Sequence, residues 1–180
     1  FTPDTNSLLG EVPEVKNLFV SCGLNSIGIG SGGGVGKVTA EWLMTGHINE
    51  DIFNYDIKRF QKFHSELGYI KNRITESLGD LYGMHWPYKQ HKTSRNIKIL
   101  PYHDLLKGFG ACFGVSGGYE RPMWFALDGE KTEYEYSYNY QNWYPSVEYE
   151  TSNTVKNVGL FDLTPFSKFE IKSDKAHEEL

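Results

Sequence analysis

The sequence predicts an α+β fold, and three observations carry the prediction. Short β-prone runs bounded by turn residues open the chain ("NSLLGEV", "NLFVSC"). A central stretch places apolar residues at helical spacing. Two further helical patterns ("PYHDLLKGFGA" and "PSVEYETSNTVKNVG") flank aromatic-rich extended runs. The first two strands are joined by turns at Pro3-Asp4 and Pro13-Glu14, and a glycine-rich bend then leads into a helix expected to start near Gly34. Val35, Val38, Trp42 and Leu43 fall at helical spacing in it, which marks a core-facing stripe.

From residue 47 to about 95 the pattern changes. Phe60, Phe63, Leu67, Ile70, Ile74, Leu78 and Leu81 recur near a 3.6-residue period, with charge on the other face. This predicts one or two amphipathic helices, broken near Gly68 or Gly79. "PYKQHKTSRNIKI" is polar and reads as a connector. Tyr134, Tyr136, Tyr138 and Tyr140 alternate as one face of a strand would, and "KFEIK" reads as a last short strand. The chain opens on Phe1 and finishes on "FEIKSDKAHEEL", a strand followed by a helix barely begun, so it is expected to be an internal fragment of a longer protein.

Composition narrows the classes. The chain has 180 residues, 39% of them hydrophobic and 15% aromatic, which is enough for packed cores. A net charge of −5 with scattered lysines argues against a nucleic-acid surface, and no apolar run reaches membrane-spanning length. Cys22 and Cys112 lie far apart in different contexts, which suits buried thiols in a reducing compartment. The histidines show no metal-ligand spacing, so no metal site is expected.

The stretch "NLFVSCGLNSIGIGSGGGVGKVTAEWL" imitates two nucleotide loops. A Walker loop needs glycine five residues before Gly36 and Ser or Thr after Lys37, but Ser31 and Val38 stand there. Gly28, Gly30 and Gly33 fit the dinucleotide pattern, yet the strand and ribose-binding acid it requires do not follow. What remains is physical. Glycines let backbone approach something flat or charged, and a helix start aims free N–H groups and a positive dipole end at it. A plain strand–turn–helix corner, with glycine for tight packing, accounts for the same residues.

The order of further signatures carries a resemblance. The segment from Phe1 to Gly46 resembles the C-terminal end of the flavin domain of the glycine-oxidase/sarcosine-oxidase class. "LYGMHWP", "LLKGFGACFGVSGGYERPMWF", "YSYNYQNWYPSVEYE" and "VGLFDLTPFSKFEI" resemble, in that order, the dimethylglycine and sarcosine dehydrogenases. The resemblance implies three parts: 1–47, the end of an FAD-dependent oxidoreductase domain; 48–98, a small helical central domain; and 99–180, the start of an aminomethyltransferase-like, folate-binding domain.

It further implies FAD and tetrahydrofolate as cofactors, and a small N-methylated amino acid, dimethylglycine or sarcosine, as substrate. Ile27, Gly28, Ile29, Gly30, Ser31 and Gly32 would lie against the pyrimidine side of the isoalloxazine. Some relatives carry a lysine for oxygen reactivity where Gly30 stands here, which points to an electron-carrier flavoprotein as partner. Neither nucleic acid nor a membrane is implied. The implied compartment is the bacterial cytoplasm or the mitochondrial matrix. Catalytic residues are not assigned. His85 and Trp86 read as a packed, hydrogen-bonded pair in preference to a lining of the central domain. Arg121 reads as the partner of Glu120 or Asp162 in preference to a ligand for a folate carboxylate. Trp124, Phe125, Trp143 and Tyr144 read as interface packing in preference to the lining of a space shared by the two sites. Two other readings stand beside this one: a folate-dependent aminomethyltransferase with a vestigial flavin half, and a non-catalytic scaffold.

Overall fold

The computed structural model describes residues 1–179. They form two compact units, 1–85 with 91–94, and 86–90 with 95 onward. The first unit opens with an antiparallel hairpin of β1 (Leu8–Glu11) and β2 (Phe19–Cys22), with Leu9 opposite Ser21 and Gly10 opposite Val20. Leu9 is the buried apolar residue of this pair, and its N–H donates to the Tyr55 carbonyl at 2.9 Å.

Helix α1 spans Gly28–Thr45 and ends on Gly46, whose φ of 75° and N–H bond to the Trp42 carbonyl (2.9 Å) make a left-handed C-cap. Trp42 docks it. A Cβ built on Gly10, which has φ 111°, would stand 2.5 Å from Trp42 Cη2, so only glycine leaves the indole room over the strand. Phe19 meets the same indole edge-on, with centroids 5.8 Å apart. Val35 and Val38 share this half-buried stripe, whereas Leu43 is exposed. The helix begins six residues earlier than the glycine run suggests. The bend is made instead by Gly23, Asn25 and Ser26, at φ 68°, 46° and 70°.

The amphipathic stretch resolves into two 3₁₀ turns (Ile57–Arg59 and Lys62–Ser65) and one helix, α2 (Leu67–Leu81). Gly68 and Gly79 lie inside that helix and do not break it. Phe60 and Phe63 fall outside α2, and Leu67 is exposed. The most buried side chains of α2 are polar. Arg73 donates to the carbonyls of Thr93 (2.6 Å) and Ser94 (3.3 Å), and Ser77 donates to the Pro3 carbonyl at 2.6 Å. Arg59 grips Asp4 through two bonds, of 2.7 and 3.1 Å, and so ties the start of the chain to the first 3₁₀ turn.

The second unit is built on the hairpin β3 (Ala111–Ser116) and β4 (Tyr119–Phe125), turned by Gly117-Gly118 with both φ values positive. A bulge after Cys112 accommodates Pro122, which has no N–H for the ladder. Leu100, Ala111, Cys112 and Trp124 form its buried apolar core, covered by α3 (His103–Gly108) and α4 (Tyr144–Lys156). Glu150 of α4 accepts the Phe125 N–H at 2.7 Å.

The tyrosine-rich stretch is not a strand. Tyr134 and Tyr136 stack at 5.7 Å, while Tyr138 and Tyr140 are exposed. The alternation lacks a neighbouring backbone to complete a ladder, and the phenolic oxygen of Tyr136 accepts the Gln90 N–H instead (2.8 Å). "KFEIK" is likewise irregular, and the closing helix is the short α5 (Ala176–Glu179). No helix among the described residues is long and apolar enough to cross a membrane.

Glu120 holds the second unit together electrostatically. It is 2% exposed and accepts from Arg95 Nε (2.7 Å), Arg95 Nη2 (2.5 Å) and the Asn96 N–H (2.8 Å). Burial works to raise its carboxyl; the Arg95 hydrogen bonds, the Asn96 N–H and the Arg95 charge outweigh this and hold it below the usual value. Arg121 therefore does not pair with Glu120. Adjacent strand residues face opposite ways, and its guanidinium lies 5.2 Å over the Phe166 ring.

Replacing Gly10 with Ala should cost about 2–4 kcal/mol of unfolding free energy, from overpacking and a left-handed backbone. In a double-mutant cycle most of the overpacking share should vanish when Trp42 is also Ala. For Glu120 the folded value is depressed. Its stabilisation is present above the unfolded value of about 4.3 and is lost as pH falls through the folded value. Glu120→Gln, which keeps an accepting oxygen but loses the charge, should cost about 2 kcal/mol at pH 7 and flatten that acid limb, as urea melts between pH 3 and 7 would record.

Candidate functional site

Ile27, Gly28, Ile29, Gly30, Ser31 and Gly32 come together as the first turn of α1 and its N-cap. The Ile27 N–H donates to the Leu24 carbonyl (2.9 Å), and the first bond within the helix runs from the Ser31 N–H to the Ile27 carbonyl (3.0 Å). The N–H groups of Gly28, Ile29 and Gly30 precede that bond and have no acceptor among the described residues. The N-cap, Ile27, has no side chain able to satisfy them. Ile29 stands fully in solvent.

All but one of the glycines here face open space among the described residues. A Cβ added at Gly30, Gly32, Gly33, Gly34 or Gly36 meets no atom within 4 Å, and none of these has positive φ. Gly28 alone is confined, since its Cβ would lie 3.1 Å from Leu24 Cδ1. Glycine inside a helix costs about 1 kcal/mol relative to alanine. A helix start stripped of side chains on most sides at that cost, led by three unengaged donors, leaves its backbone open to a flat or electron-rich acceptor.

The approach to this turn is anchored by residues the sequence reading passed over. Asn25 is 6% exposed. Its Oδ1 accepts the Thr2 N–H (2.9 Å), and its Nδ2 donates to Thr2 Oγ1 (3.0 Å) and to the Gly23 carbonyl (2.5 Å). The available signal was an Asn-Ser pair ahead of a helix, which ordinarily marks a cap.

A second cluster lies on α2. Glu76 and Asp80, four residues apart and so on one face, stand 3.9 and 3.8 Å from His91 Nδ1. The donor atoms of the three lie within 4.8 Å of one another, close enough for a divalent cation. Spacing along the sequence could not show this, because His91 arrives on a separate segment. Glu76 already has a structural task. Its oxygens accept the N–H groups of Lys92 (2.6 Å) and Thr93 (2.8 Å) and the Thr93 hydroxyl. Burial would raise this carboxyl, and those bonds with the His91 charge bring it below its ordinary value.

In the second unit, "GYERPMWF" is largely β4. Trp124 is core, edge-on to Tyr134 at 6.2 Å, and beside it burial pushes the Cys112 thiol up to about 11 and the Tyr134 hydroxyl up to about 12. Trp143 donates to Gln141 Oε1 (2.9 Å) and meets Tyr88 edge-on at 5.3 Å, while Trp86 packs on Tyr138 at 4.9 Å. His85 is exposed. Asp162 is held low by the Thr164 hydroxyl and N–H, with the Arg121 charge a lesser contribution.

Comparison with known proteins decides the family. The profile described as "FAD dependent oxidoreductase central domain" matches residues 45–99, and that described as "GCVT N-terminal domain" matches 102–180. The chain is 43% identical over 178 residues to a 4-methylaminobutanoate oxidase (formaldehyde-forming) of Paenarthrobacter nicotinovorans, covering 99% of the chain and 22% of the relative. It is 34% identical over 169 residues to the mitochondrial sarcosine dehydrogenase of Mus musculus, covering 92% and 18%.

The chain belongs to the dimethylglycine and sarcosine dehydrogenase family. Another similar protein is the mitochondrial pyruvate dehydrogenase phosphatase regulatory subunit of Mus musculus, 34% identical over 190 residues, covering 100% and 21%. The chain thus spans about a fifth of the length of these family relatives.

The two thiols should separate cleanly. Cys22 is exposed and Cys112 buried and protonated at neutral pH. A disulfide-exchange reagent at pH 7.5 should modify Cys22 rapidly and Cys112 only on unfolding. Mass mapping of the labelled peptides reads the result, and fast labelling of Cys112 would contradict its packing.

Proposed function

We propose that this chain is part of an FAD-dependent oxidoreductase that removes a methyl group from a small N-methylated amino acid and passes the carbon to tetrahydrofolate. The observation that carries the reading is the open, glycine-rich start of α1, with the Gly28, Ile29 and Gly30 N–H groups left for an outside acceptor. FAD supplies the two-electron acceptor for the N-methyl carbon, and tetrahydrofolate supplies the acceptor for the one-carbon unit.

The chain's own contribution is electrostatic. Residues 27–32 place backbone donors and the positive end of α1 against the edge where charge develops on reduction, as an oxyanion hole does. Within this reading, 1–47 closes the flavin domain, 48–98 is the central domain and 99–180 opens the folate-binding domain. The names of the relatives, an oxidase of 4-methylaminobutanoate and a sarcosine dehydrogenase, support the substrate class. Glycine at position 30 favours electron transfer to a carrier flavoprotein, in the bacterial cytoplasm or the mitochondrial matrix. A second reading, a non-catalytic regulatory subunit, is favoured by the similarity to the phosphatase regulatory subunit.

The full-length protein tests both. On the oxidoreductase reading it carries one flavin, which sarcosine, dimethylglycine or 4-methylaminobutanoate bleaches under anaerobic conditions. Gly30→Val, at a position where an added Cβ meets no atom of the described residues within 4 Å, should lower flavin occupancy or slow reduction at least tenfold with little change in melting temperature. A colourless protein, or one whose flavin none of these amines reduces, would leave the regulatory reading.

A further inference from the structure

We propose that Asn25 is a positioning residue for the flavin-facing end of α1, fixing where the Gly28, Ile29 and Gly30 N–H groups point. The inference rests on the assignment of that end to the flavin made above. An Asn-Ser pair directly before a helix ordinarily turns a side-chain oxygen onto the first N–H groups. Here it does not. The Asn25 amide turns away from the helix and spends both donors and its acceptor on Thr2 and Gly23, and the apolar Ile27 takes the cap position. The helix donors stay open although a residue able to close them sits two positions upstream.

The anchorage is rigid on both sides. Thr2 is 4% exposed, and its hydroxyl donates to the Asn6 carbonyl at 2.8 Å. A Cβ on Gly23 would stand 2.7 Å from Thr2 Cγ2, so the threonine fits against bare backbone. Gly23, Asn25 and Ser26 are all left-handed, which folds the chain back sharply before Ile27. Since asparagine tolerates this conformation and the other two Asn25 bonds reach a residue far away in sequence, this one side chain sets the entry angle of the helix. Loss of its bonds would let the first turn pivot while Trp42, near the other end, keeps the helix docked.

The test uses the full-length flavoprotein. Asn25→Gly keeps the left-handed backbone accessible and removes only the side-chain bonds, and Asn25→Asp keeps the acceptor and removes both donors. Thr2→Val is a milder variant that takes away one partner. Arg73→Leu, remote in α2, serves as a control that lowers stability only. The readouts are the flavin midpoint potential and visible spectrum beside the melting temperature.

Misaimed donors stabilise reduced flavin less. Both Asn25 variants should therefore lose about tenfold of the preference for the reduced form, a fall of about 30 mV for a two-electron couple. Thr2→Val should show a smaller fall of the same sign, and the control none. If the Asn25 variants only melt earlier, like the control, with potential and spectrum unchanged, the inference is overturned. Should they fail to fold, Thr2→Val decides by the same readout. Gly30→Val separates the two levels. A shift there without one at Asn25 removes only the positioning role, and no shift in either removes the flavin assignment of the loop.

Discussion

The seat of Trp42 over Gly10 governs the first unit. A helix whose first nine residues include six glycines has little reason to hold together on intrinsic propensity, at about 1 kcal/mol lost per glycine. Its C-terminal half carries it: Ala40, Glu41, Trp42, Leu43 and Met44 are stronger helix formers, and the indole inserts where the strand has no side chain. The exposed Lys37–Glu41 pair at 3.5 Å adds only a few tenths of a kcal/mol. The bare half is held by continuity with the anchored half, which leaves its surface available.

Elsewhere both units are fastened by directional polar contacts more than by apolar mass. Among the described residues the buried apolar side chains are few, namely Leu9, Leu100, Ala111, Cys112 and Trp124. Around them Arg59 on Asp4, Arg73 on the 93–94 carbonyls, Asn25 on Thr2 and Arg95 on Glu120 each pair buried or half-buried groups. Contacts of this kind tolerate little displacement, because a buried donor or acceptor left alone costs about 1–3 kcal/mol. Segments far apart in sequence are thereby fixed in register even where little hydrophobic area is buried.

The parts legible in the sequence were those governed by local rules. Period and turn residues placed the first hairpin, α2, α3 and α4 close to where they stand, and Trp42 read correctly as packed, whereas Trp124, expected at a domain interface, lies in the core of the second unit. The misreadings have physical causes. Glycine in α1 looked like a loop, because its low propensity is outweighed by an anchor more than a turn further on. The tyrosine alternation had strand periodicity without a partner strand. Glu120 chose Arg95 over its neighbour Arg121, a choice made by strand alternation and burial, not by proximity in sequence. Of the candidate site, the glycine segment stood out in the sequence, although it lies inside α1 and not ahead of it. Asn25 and the Glu76–Asp80–His91 cluster did not, as each depends on residues brought from elsewhere in the fold.

The connector has a bearing on how such proteins can be taken apart. Residues 86–90 belong to the second unit and 91–94 to the first, so the chain changes allegiance at 85/86, 90/91 and 94/95. The short segment contributed to the second unit is integral to it. The Gln90 side chain accepts the Val115 N–H at 2.9 Å, the Pro87 carbonyl accepts from Gln141 at 2.9 Å, and a Cβ on Gly114 would strike Gln90. A cut between the two profile-matched regions, at 99–102, would strand those residues on the wrong piece. The two units are therefore interleaved along the sequence. Recombination at the apparent module border would deliver a second unit missing part of its own wall, which restricts how this region can be exchanged between relatives.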